Sequence, residues 1–328
     1  MIRAQSAMAA RLRTTGSIGI GPFRLESMFF GSEATRQGSS RSGIRSRGYR
    51  SCGKMSTVLV RLPQPYDFAL SVARFRVYGV DRATLWRADG LHRVFAGREV
   101  RIEAARGGVD VEPHDAAIEA EVLTFLGAPF DLVAFGDWAA GDETLARLVA
   151  ALAGFRPPLQ TDPFEALVTS ITAQQVSLQS AAAIRSRFIE RYGVAAVHAH
   201  AFPRRERVAQ ATEDELIAVG FSTRKAEYVV GLARSDLDLD GLAQLPDEEV
   251  TARLVAIRGL GEWTADWFLA RHLARPHAWP AGDLGLRKAV AAFYGDVPDL
   301  RAFAERFHPF ENLTAHYLLT GLRLLPPT

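Results

Sequence analysis

Cysteine is almost absent from this chain of 328 residues, since Cys52 is the only one. A single cysteine excludes a disulfide framework within the chain and any iron–sulfur or zinc site held by several cysteines. The histidines show no metal-ligand spacing, and His198 and His200 are interpreted as solvated loop residues. No run of residues is long and apolar enough to cross a membrane as a helix. The sequence therefore predicts no metal, no cofactor and no membrane association.

A global excess of positive charge is also lacking, because the formal net charge is only +2. Residues 1–54 hold nine Arg and one Lys against two Glu, a net of +8, so the other 274 residues together carry −6. Binding of nucleic acid by that larger part would need a local basic face. Residues 1–54 are rich in Ser, Gly and Arg and are predicted to be a disordered basic leader. An upstream start codon and an organellar targeting segment both stay open as explanations of it.

The remaining chain is predicted to have an α+β fold that is mostly α. Short apolar runs with hairpin signals at Asp89-Gly90 and Gly107-Gly108 predict a small β-rich domain at residues 55–113, interpreted as packing support. From residue 114 to 328 the apolar period becomes helical, which predicts a helical domain of two subdomains. Within it, Asp162-Pro163-Phe164-Glu165 has the residue types of a helix start: an N-cap Asp, Pro at N1 and Glu at N3.

A helix-hairpin-helix is predicted at residues 254–274. Gly259 and Gly261 flank one apolar residue between two amphipathic runs, where glycine permits positive φ and close approach of the backbone to another molecule. Trp263 and Trp267, four residues apart, share one face of the second helix. The free N–H groups at the start of that helix form a site for an anion, and a DNA phosphate fits it without any base being read.

A carboxylate follows the hairpin after some twenty residues, in the turn Gly282-Asp283-Leu284-Gly285. The run 257–265 followed by Pro280-Ala281-Gly282-Asp283 resembles the helix-hairpin-helix (HhH-GPD) DNA glycosylase superfamily. Within it, the chain is most similar to the 3-methyladenine DNA glycosylase II branch, over roughly residues 55–328. Without the resemblance, the same residues would be an αα-hairpin whose Asp283 only caps the next helix.

The resemblance implies a set of site residues. Asp283 would be catalytic, stabilising positive charge on the sugar and positioning the attacking water. Trp263 and Trp267 would line the pocket for a flipped base, and a cationic alkylated purine over an indole would gain ~0.5–2 kcal/mol. Gln175 matches the residue that fills the gap left by the flipped nucleotide, a position where some relatives carry leucine. The residues expected to bind DNA are Gly259, Gly261, Thr264, Gln174, Gln175 and Arg287.

The implied function is that of a monofunctional DNA glycosylase of base-excision repair that removes alkylated purines such as 3-methyladenine from double-stranded DNA. Bifunctional members carry a lysine where this chain has Trp263, and an indole cannot form an imine. Leu319 stands near the position of a pocket aromatic in one branch, so the preferred base stays open. The alternatives are a glycosylase for oxidised or deaminated bases and a non-catalytic DNA-binding module.

Three further expectations concern the surroundings of the protein. The family's hairpin can hold a monovalent cation through backbone carbonyls, and this is the one ion that the resemblance implies. The expected partner is double-stranded DNA that contains damaged bases, bound by a monomer. The expected location is the bacterial cytoplasm, in association with the nucleoid, with organellar targeting by residues 1–54 as the open alternative.

Overall fold

A computed structural model describes residues 57–325, so Cys52 and the predicted leader at 1–54 lie outside the described residues. No helix of this part is both long and apolar enough to cross a membrane. The strands are β1 (Val58–Arg61), β2 (Thr84–Arg87), β3 (Gly90–Phe95), β4 (Arg98–Ala105), β5 (Gly108–Glu112), β6 (Val194–Ala195) and β7 (His200–Ala201). The helices of the first half are α1 (Phe68–Val72), α2 (Arg74–Val77), α3 (Ala116–Phe125), α4 (Leu132–Ala139), α5 (Glu143–Ala151), α6 (Pro163–Ala173) and α7 (Leu178–Tyr192). Those of the second half are α8 (Arg205–Ala209), α9 (Glu213–Ala218), α10 (Thr223–Arg234), α11 (Asp247–Val255), α12 (Glu262–Arg271), α13 (Leu284–Tyr294), α14 (Leu300–Ala304) and α15 (Glu311–Leu324). Two short 3-10 helices span Gly241–Gln244 and Glu305–Phe307.

The first five strands form one antiparallel sheet in the order β1-β5-β4-β3-β2. Asp89-Gly90 and Gly107 lie at the turns of two of its hairpins, as the sequence predicts, and Gly107 has a φ of +83° that favours glycine. Beyond the sheet the described chain is helical, apart from the short β6–β7 hairpin. The α+β, mostly α fold class is therefore confirmed.

Two hydrophobic clusters form the core. One packs α1 and α3 against the sheet and includes Ile118 and Phe125, so it reaches beyond the predicted domain boundary at residue 113. The other, larger cluster joins α4 to α15 and includes Trp267 and Leu319. Arg156 lies fully buried near the first cluster, and its guanidinium donates to the carbonyls of residues 63, 127 and 130. Three of its five N–H groups are satisfied there, which lowers the cost of burying the cation.

A buried ion network joins the sheet to the helical region. Glu165 on α6 accepts from Arg93 of β3 at 2.6 Å and from Arg185 of α7 at 2.6 Å, and Arg185 also contacts Asp81 at 3.1 Å. Burial opposes ionisation of Glu165, but the two guanidinium groups outweigh it and lower its pKa to about 2. The N-cap of α6 is Asp162, whose side chain accepts from the Glu165 N–H, which confirms the predicted helix start.

The two histidines interpreted as solvated are held against the sheet instead. The backbone N–H of His198 donates to the Glu99 carboxylate at 2.7 Å, and its ring packs edge-on to His92 at 4.9 Å. The backbone N–H of His200 donates to the carbonyl of Arg82 at 2.8 Å. The sequence interpretation was wrong here because these contacts are made across the fold, to residues about a hundred positions away.

Candidate active site

The predicted helix-hairpin-helix is present as α11, a tight turn at residues 256–261, and α12. Gly259 has a φ of +92°, which favours glycine. A Cβ at this position would also overlap the ring of Tyr228 on α10, so glycine is required for packing as well. Gly261 differs, because its φ of −104° is ordinary and a Cβ would meet open space. The expectation of positive φ therefore holds at Gly259 only, and Gly261 is the exposed N-cap of α12.

Free backbone donors converge at this turn. Within residues 57–325, no acceptor receives the backbone N–H of Gly259, Gly261 or Glu262. The N–H groups of Thr264 and Ala265 are already directed back to the Gly261 carbonyl, at 2.9 and 3.1 Å. Three unused amides at the positive end of a helix dipole suit an anion such as a phosphate.

Two residues expected to bind DNA also brace the hairpin. The side chain of Thr264 is 1% exposed, which leaves no surface for a ligand. Its hydroxyl accepts from the Gln174 amide at 3.4 Å, and the same amide donates to the Gly259 carbonyl at 3.0 Å. The DNA-binding role of Thr264 and Gln174 therefore stays a prediction, and their polar groups tie the α6–α7 turn to the hairpin.

The turn between α6 and α7 presents other side chains outward. Gln175 is exposed with a φ of +53°, a left-handed conformation that is uncommon for a residue other than glycine. Val176 and Leu178, the apolar residues beside it, are also exposed. The hydrogen bond from Gln174 to the Gly259 carbonyl places this turn next to the hairpin that carries the unused amides.

Asp283 is the N-cap of α13, and its Oδ1 accepts from the Leu286 N–H at 2.8 Å. Its Oδ2 accepts from the indole N–H of Trp263 at 3.1 Å and from that of Trp267 at 3.2 Å. The capping role and the predicted meeting of Asp283 with the two tryptophans therefore occur together. Three N–H donors fix this carboxylate in one orientation, which a group that acts on a transition state needs.

The surroundings of Trp267 contain an arginine and a histidine that were not anticipated. The Arg271 guanidinium lies 3.5 Å from the centre of the Trp267 ring, and the His316 ring of α15 lies 5.9 Å from it. Leu319, on the same face of α15 one turn later, packs against Gly285 in the Asp283 turn. One face of Trp267 is thus covered by a cation of the protein. The base-pocket role of Trp267 stays a prediction.

Basic residues differ in how available they are. Arg287, expected to bind DNA, and Lys288 are exposed on the first turns of α13, and Arg224 is exposed at the start of α10. Arg185 is buried in the ion network of Glu165. Lys225 is also buried, and its ammonium group donates to the Thr172 carbonyl at 2.9 Å. Of these candidates, only Arg287, Lys288 and Arg224 can contribute to a basic face.

Two groups of side chains in the described part of the chain have the chemistry of metal ligands, away from Asp283. One is His92, Glu99 and His198 on the sheet, and the other is His277, His308 and Glu311 near the start of α15. In each group the carboxylate already accepts hydrogen bonds from imidazole or backbone donors. These contacts account for both groups without a metal.

Comparison with known proteins agrees with this geometry. Residues 168–305 match the family model described as HhH-GPD superfamily base excision DNA repair protein. DNA-3-methyladenine glycosylase 1 of Schizosaccharomyces pombe is 30% identical over 192 residues, which cover 54% of this chain and 81% of that protein. The chain belongs to the HhH-GPD superfamily. The predicted family is thereby confirmed.

Other members of the superfamily extend the comparison. The DNA-3-methyladenine glycosylase of Bacillus subtilis is 32% identical over 168 residues, 49% of this chain, but the match covers only 55% of that protein's length. The solved structure of 3-methyladenine DNA-glycosylase from Archaeoglobus fulgidus has a TM-score of 0.72 and 26% identity. That alignment covers 81% of this chain and 98% of the other, so it includes most of the described residues.

Three residues of the site were missed by the sequence reasoning. Arg271 follows Trp263 and Trp267 at the same four-residue interval, so the helical period alone places all three on one face of α12. His316 and Tyr228 lie on other helices and reach the site only through the tertiary fold. No spacing in the sequence indicates contacts of that kind.

Proposed function

We propose that this protein is a monofunctional DNA glycosylase of base-excision repair that hydrolyses the N-glycosidic bond of alkylated purines in double-stranded DNA. The observation that carries the proposal is the single carboxylate of Asp283 held by the indoles of Trp263 and Trp267, beside a hairpin with three unused amides. Membership of the superfamily, and relatives named as DNA-3-methyladenine glycosylases, support the same activity.

The chemistry begins with extrusion of the damaged base, because a base inside the duplex cannot be reached by a side chain. The bond between C1′ and the base nitrogen breaks, its electron pair stays on the base, and positive charge develops on the sugar. The fixed carboxylate of Asp283 stabilises that charge and orients a water molecule. The water oxygen bonds to C1′, its proton passes to Asp283 or to solvent, and an abasic site is left.

DNA would be held mainly through its backbone. The amides of Gly259, Gly261 and Glu262 would bind a phosphate, and Arg287 on α13 would bind another. The projecting side chain of Gln175 would enter the space that the flipped nucleotide leaves. Hairpin carbonyls keep a second lone pair after accepting one hydrogen bond, so a monovalent cation bound there would bridge the hairpin to the phosphate. The bond-breaking step does not depend on that cation.

The proposal of monofunctional chemistry rests on the absence of a nucleophilic amine at the site among residues 57–325. Lys54, Lys225 and Lys288 are the only lysines in the sequence. Lys225 is buried, and its ammonium group donates to the Thr172 carbonyl. Lys288 is exposed on α13, more than one helical turn after Asp283. Trp263 occupies the position before Thr264-Ala265, so water is left as the nucleophile.

The direct test is excision by Asp283→Asn. Asparagine keeps an oxygen for the α13 cap but loses the charge, so we expect the single-turnover rate on 3-methyladenine, 7-methylguanine, hypoxanthine and 1,N6-ethenoadenine duplexes to fall at least about a hundredfold. Affinity for the same duplexes, measured by fluorescence anisotropy, is expected to stay within about threefold because the phosphate contacts lie elsewhere.

The matched control is Asp137→Asn, which removes an equal charge from the exposed face of α4. This variant is expected to excise at the wild-type rate, and thermal unfolding of both variants checks that they are folded. Excision by Asp283→Asn at the rate of the control would refute the role of Asp283. Tight DNA binding by the wild-type protein without excision of any of the four bases would indicate a non-catalytic DNA-binding module.

A further inference from the structure

A buried lysine lies where helix α6 ends and the turn to α7 begins. Lys225 of α10 is 8% exposed, and its ammonium group donates to the Thr172 carbonyl at 2.9 Å. Thr172 is the penultimate residue of α6, so its carbonyl is one of the last four of the helix, which have no partner within the helix. These carbonyls also form the negative end of the helix dipole. Lys225 therefore caps the C-terminus of α6 from a neighbouring helix.

No acid balances the charge of this lysine. Among residues 57–325, no carboxylate pairs with the Lys225 ammonium group, and burial lowers the pKa of Lys225. Burying an ammonium group costs free energy unless the charge is paired and hydrogen-bonded. A methionine of similar length would avoid that cost. Stability alone therefore does not account for a lysine at this position, and the carbonyl that it holds becomes the relevant feature.

The turn that follows α6 is anchored on two sides. Lys225 holds the carbonyl of Thr172, three residues before Gln175 in the sequence. The side-chain amide of Gln174 donates to the Gly259 carbonyl of the hairpin at 3.0 Å. Gln175 itself has a φ of +53°, a conformation that is costly for a residue other than glycine and persists only where the surroundings impose it. The two anchors are the contacts that fix the backbone directly before Gln175.

Helix α10 contacts both the turn and the hairpin. Lys225 and Tyr228 are three residues apart, so they are neighbours on one face of this helix. Gly259 of the hairpin packs against the Tyr228 ring, and Glu227 pairs with Arg258 of the hairpin at 2.5 Å. One helix therefore sets the position of the α6–α7 turn relative to the hairpin that carries the unused amides.

We propose that Lys225 is a positioning residue for Gln175, acting through the backbone of the α6–α7 turn. The inference rests on the proposed function, in which the hairpin binds a phosphate and the Gln175 side chain fills the gap left by the extruded nucleotide. Both contacts are made on one duplex, so their separation has to match the DNA. A turn that shifts relative to the hairpin still leaves the phosphate bound, but it loses the contacts of Gln175 inside the duplex.

The test compares the affinity for two duplexes of one sequence by fluorescence anisotropy. One duplex is undamaged, and the other contains a tetrahydrofuran residue, a neutral abasic analogue that leaves a gap without a base. Undamaged DNA engages the phosphate contacts alone, whereas the gapped duplex also admits Gln175. Because no base has to be unstacked from the gapped duplex, we expect the wild-type protein to bind it at least about tenfold more tightly.

Lys225→Met removes the ammonium group and keeps a similar length. It should lower the preference for the gapped duplex about fivefold, the effect of one lost hydrogen bond, and change the affinity for undamaged DNA much less. Lys225→Arg keeps the charge and the donors and should recover part of the preference. Adding Lys225→Met to Gln175→Ala should lower the preference no further, because Lys225 acts through Gln175.

A matched control and a second variant separate this role from a structural one. Arg147→Met removes a cation from the exposed face of α5 and should leave both affinities unchanged. Thermal unfolding of each variant checks that it is folded. If Lys225→Met does not fold, Gln174→Met removes the other anchor of the same turn and should lower the preference for the gapped duplex in the same way.

Three results would overturn the inference: an unchanged preference in the folded Lys225→Met variant, equal losses of affinity for both duplexes, or a further loss of preference in the Gln175→Ala background. Equal losses would indicate a general weakening of the fold or of charge attraction to DNA. A wild-type protein that excises damaged bases without preferring the gapped duplex would also overturn it, since no insertion of Gln175 would remain to be positioned. Failure of the wild-type protein to excise any damaged base would refute the proposed function itself.

Discussion

Gly259→Ala is the substitution whose effect the structure defines most sharply. Gly259 has a φ of +92°, and the new Cβ would overlap three carbons of the Tyr228 ring. The backbone strain of alanine at positive φ costs ~1 kcal/mol or more. Overpacking against a half-buried ring adds about 1–3 kcal/mol. We therefore expect the free energy of unfolding to fall by roughly 2–4 kcal/mol.

The neighbouring glycine supplies the control. Gly261 has a φ of −104° and open space where a Cβ would stand, so Gly261→Ala should change the free energy of unfolding by no more than about 1 kcal/mol. Its methyl group would nevertheless stand at the exposed amides. Gly261→Ala should thus weaken DNA binding without unfolding the protein, whereas Gly259→Ala should do both. The binding loss should be alike for all duplex sequences, because the contact is to phosphate.

Urea titration followed by far-UV circular dichroism measures the free energy of unfolding of each variant. Fluorescence anisotropy at several salt concentrations measures its affinity for DNA. The double variant Gly259→Ala with Tyr228→Ala should recover the part of the loss that comes from overlap, leaving the part that comes from φ. Equal stability of the two single-glycine variants would refute the argument. Loss of binding to one duplex sequence only would contradict the phosphate role of the hairpin.

Two further predictions concern the nucleophile and the pH dependence of stability. Borohydride added during turnover should trap no covalent protein–DNA complex, and strand nicks should appear only after treatment with alkali. The reason is that Trp263 stands where bifunctional relatives carry the amine that forms an imine. A trapped complex that survives Lys288→Ala would contradict this prediction. Burial raises the pKa of Asp266 on α12 from 3.8 to about 6, although the charge of Arg301 opposes the shift. The folded state therefore binds the proton more tightly than the unfolded state does. Stability is lost as the pH rises from 3.8 to about 6. Asp266→Asn should therefore stabilise the protein at pH 7 by on the order of 2 kcal/mol and have little effect below pH 4, and urea titrations that show the same pH dependence for both proteins would refute the assignment.

Features set by neighbouring residues could be predicted from the sequence. The N-cap at Asp162 and the turn at Gly107 depend on contacts within a few residues, and the structure has both where the sequence predicts them. The meeting of Asp283 with Trp263 and Trp267 was implied by the resemblance to the family, and the structure brings the three together. The two indoles share one face of α12, and the loop of residues 272–283 returns the chain to them.

Features that depend on distant partners could not be predicted. Thr264 and Gln174 are polar residues beside exposed turns, so the sequence favours contact with DNA for both. In the structure, the Gln174 amide donates to the Thr264 hydroxyl, ninety residues away in the sequence. This hydrogen bond links the α6–α7 turn to the hairpin. Gly259 and Gly261 likewise look equivalent in the sequence, and only the position of Tyr228 on α10 makes one of them indispensable for packing.

The β-rich region contacts helices that lead to the site. Arg93 of β3 holds Glu165 near the start of α6, and the far end of that same helix presents the Gln174-Gln175 turn to the hairpin. From the segment between β1 and β2, Arg74 lowers the pKa of His316, after the larger effects of burial and Arg271, and the Tyr78 hydroxyl accepts from Arg323. Residues before 113 thus hold the start of α6 through an ion pair and place a charge near His316. A fragment that begins at α3 would lose both contributions.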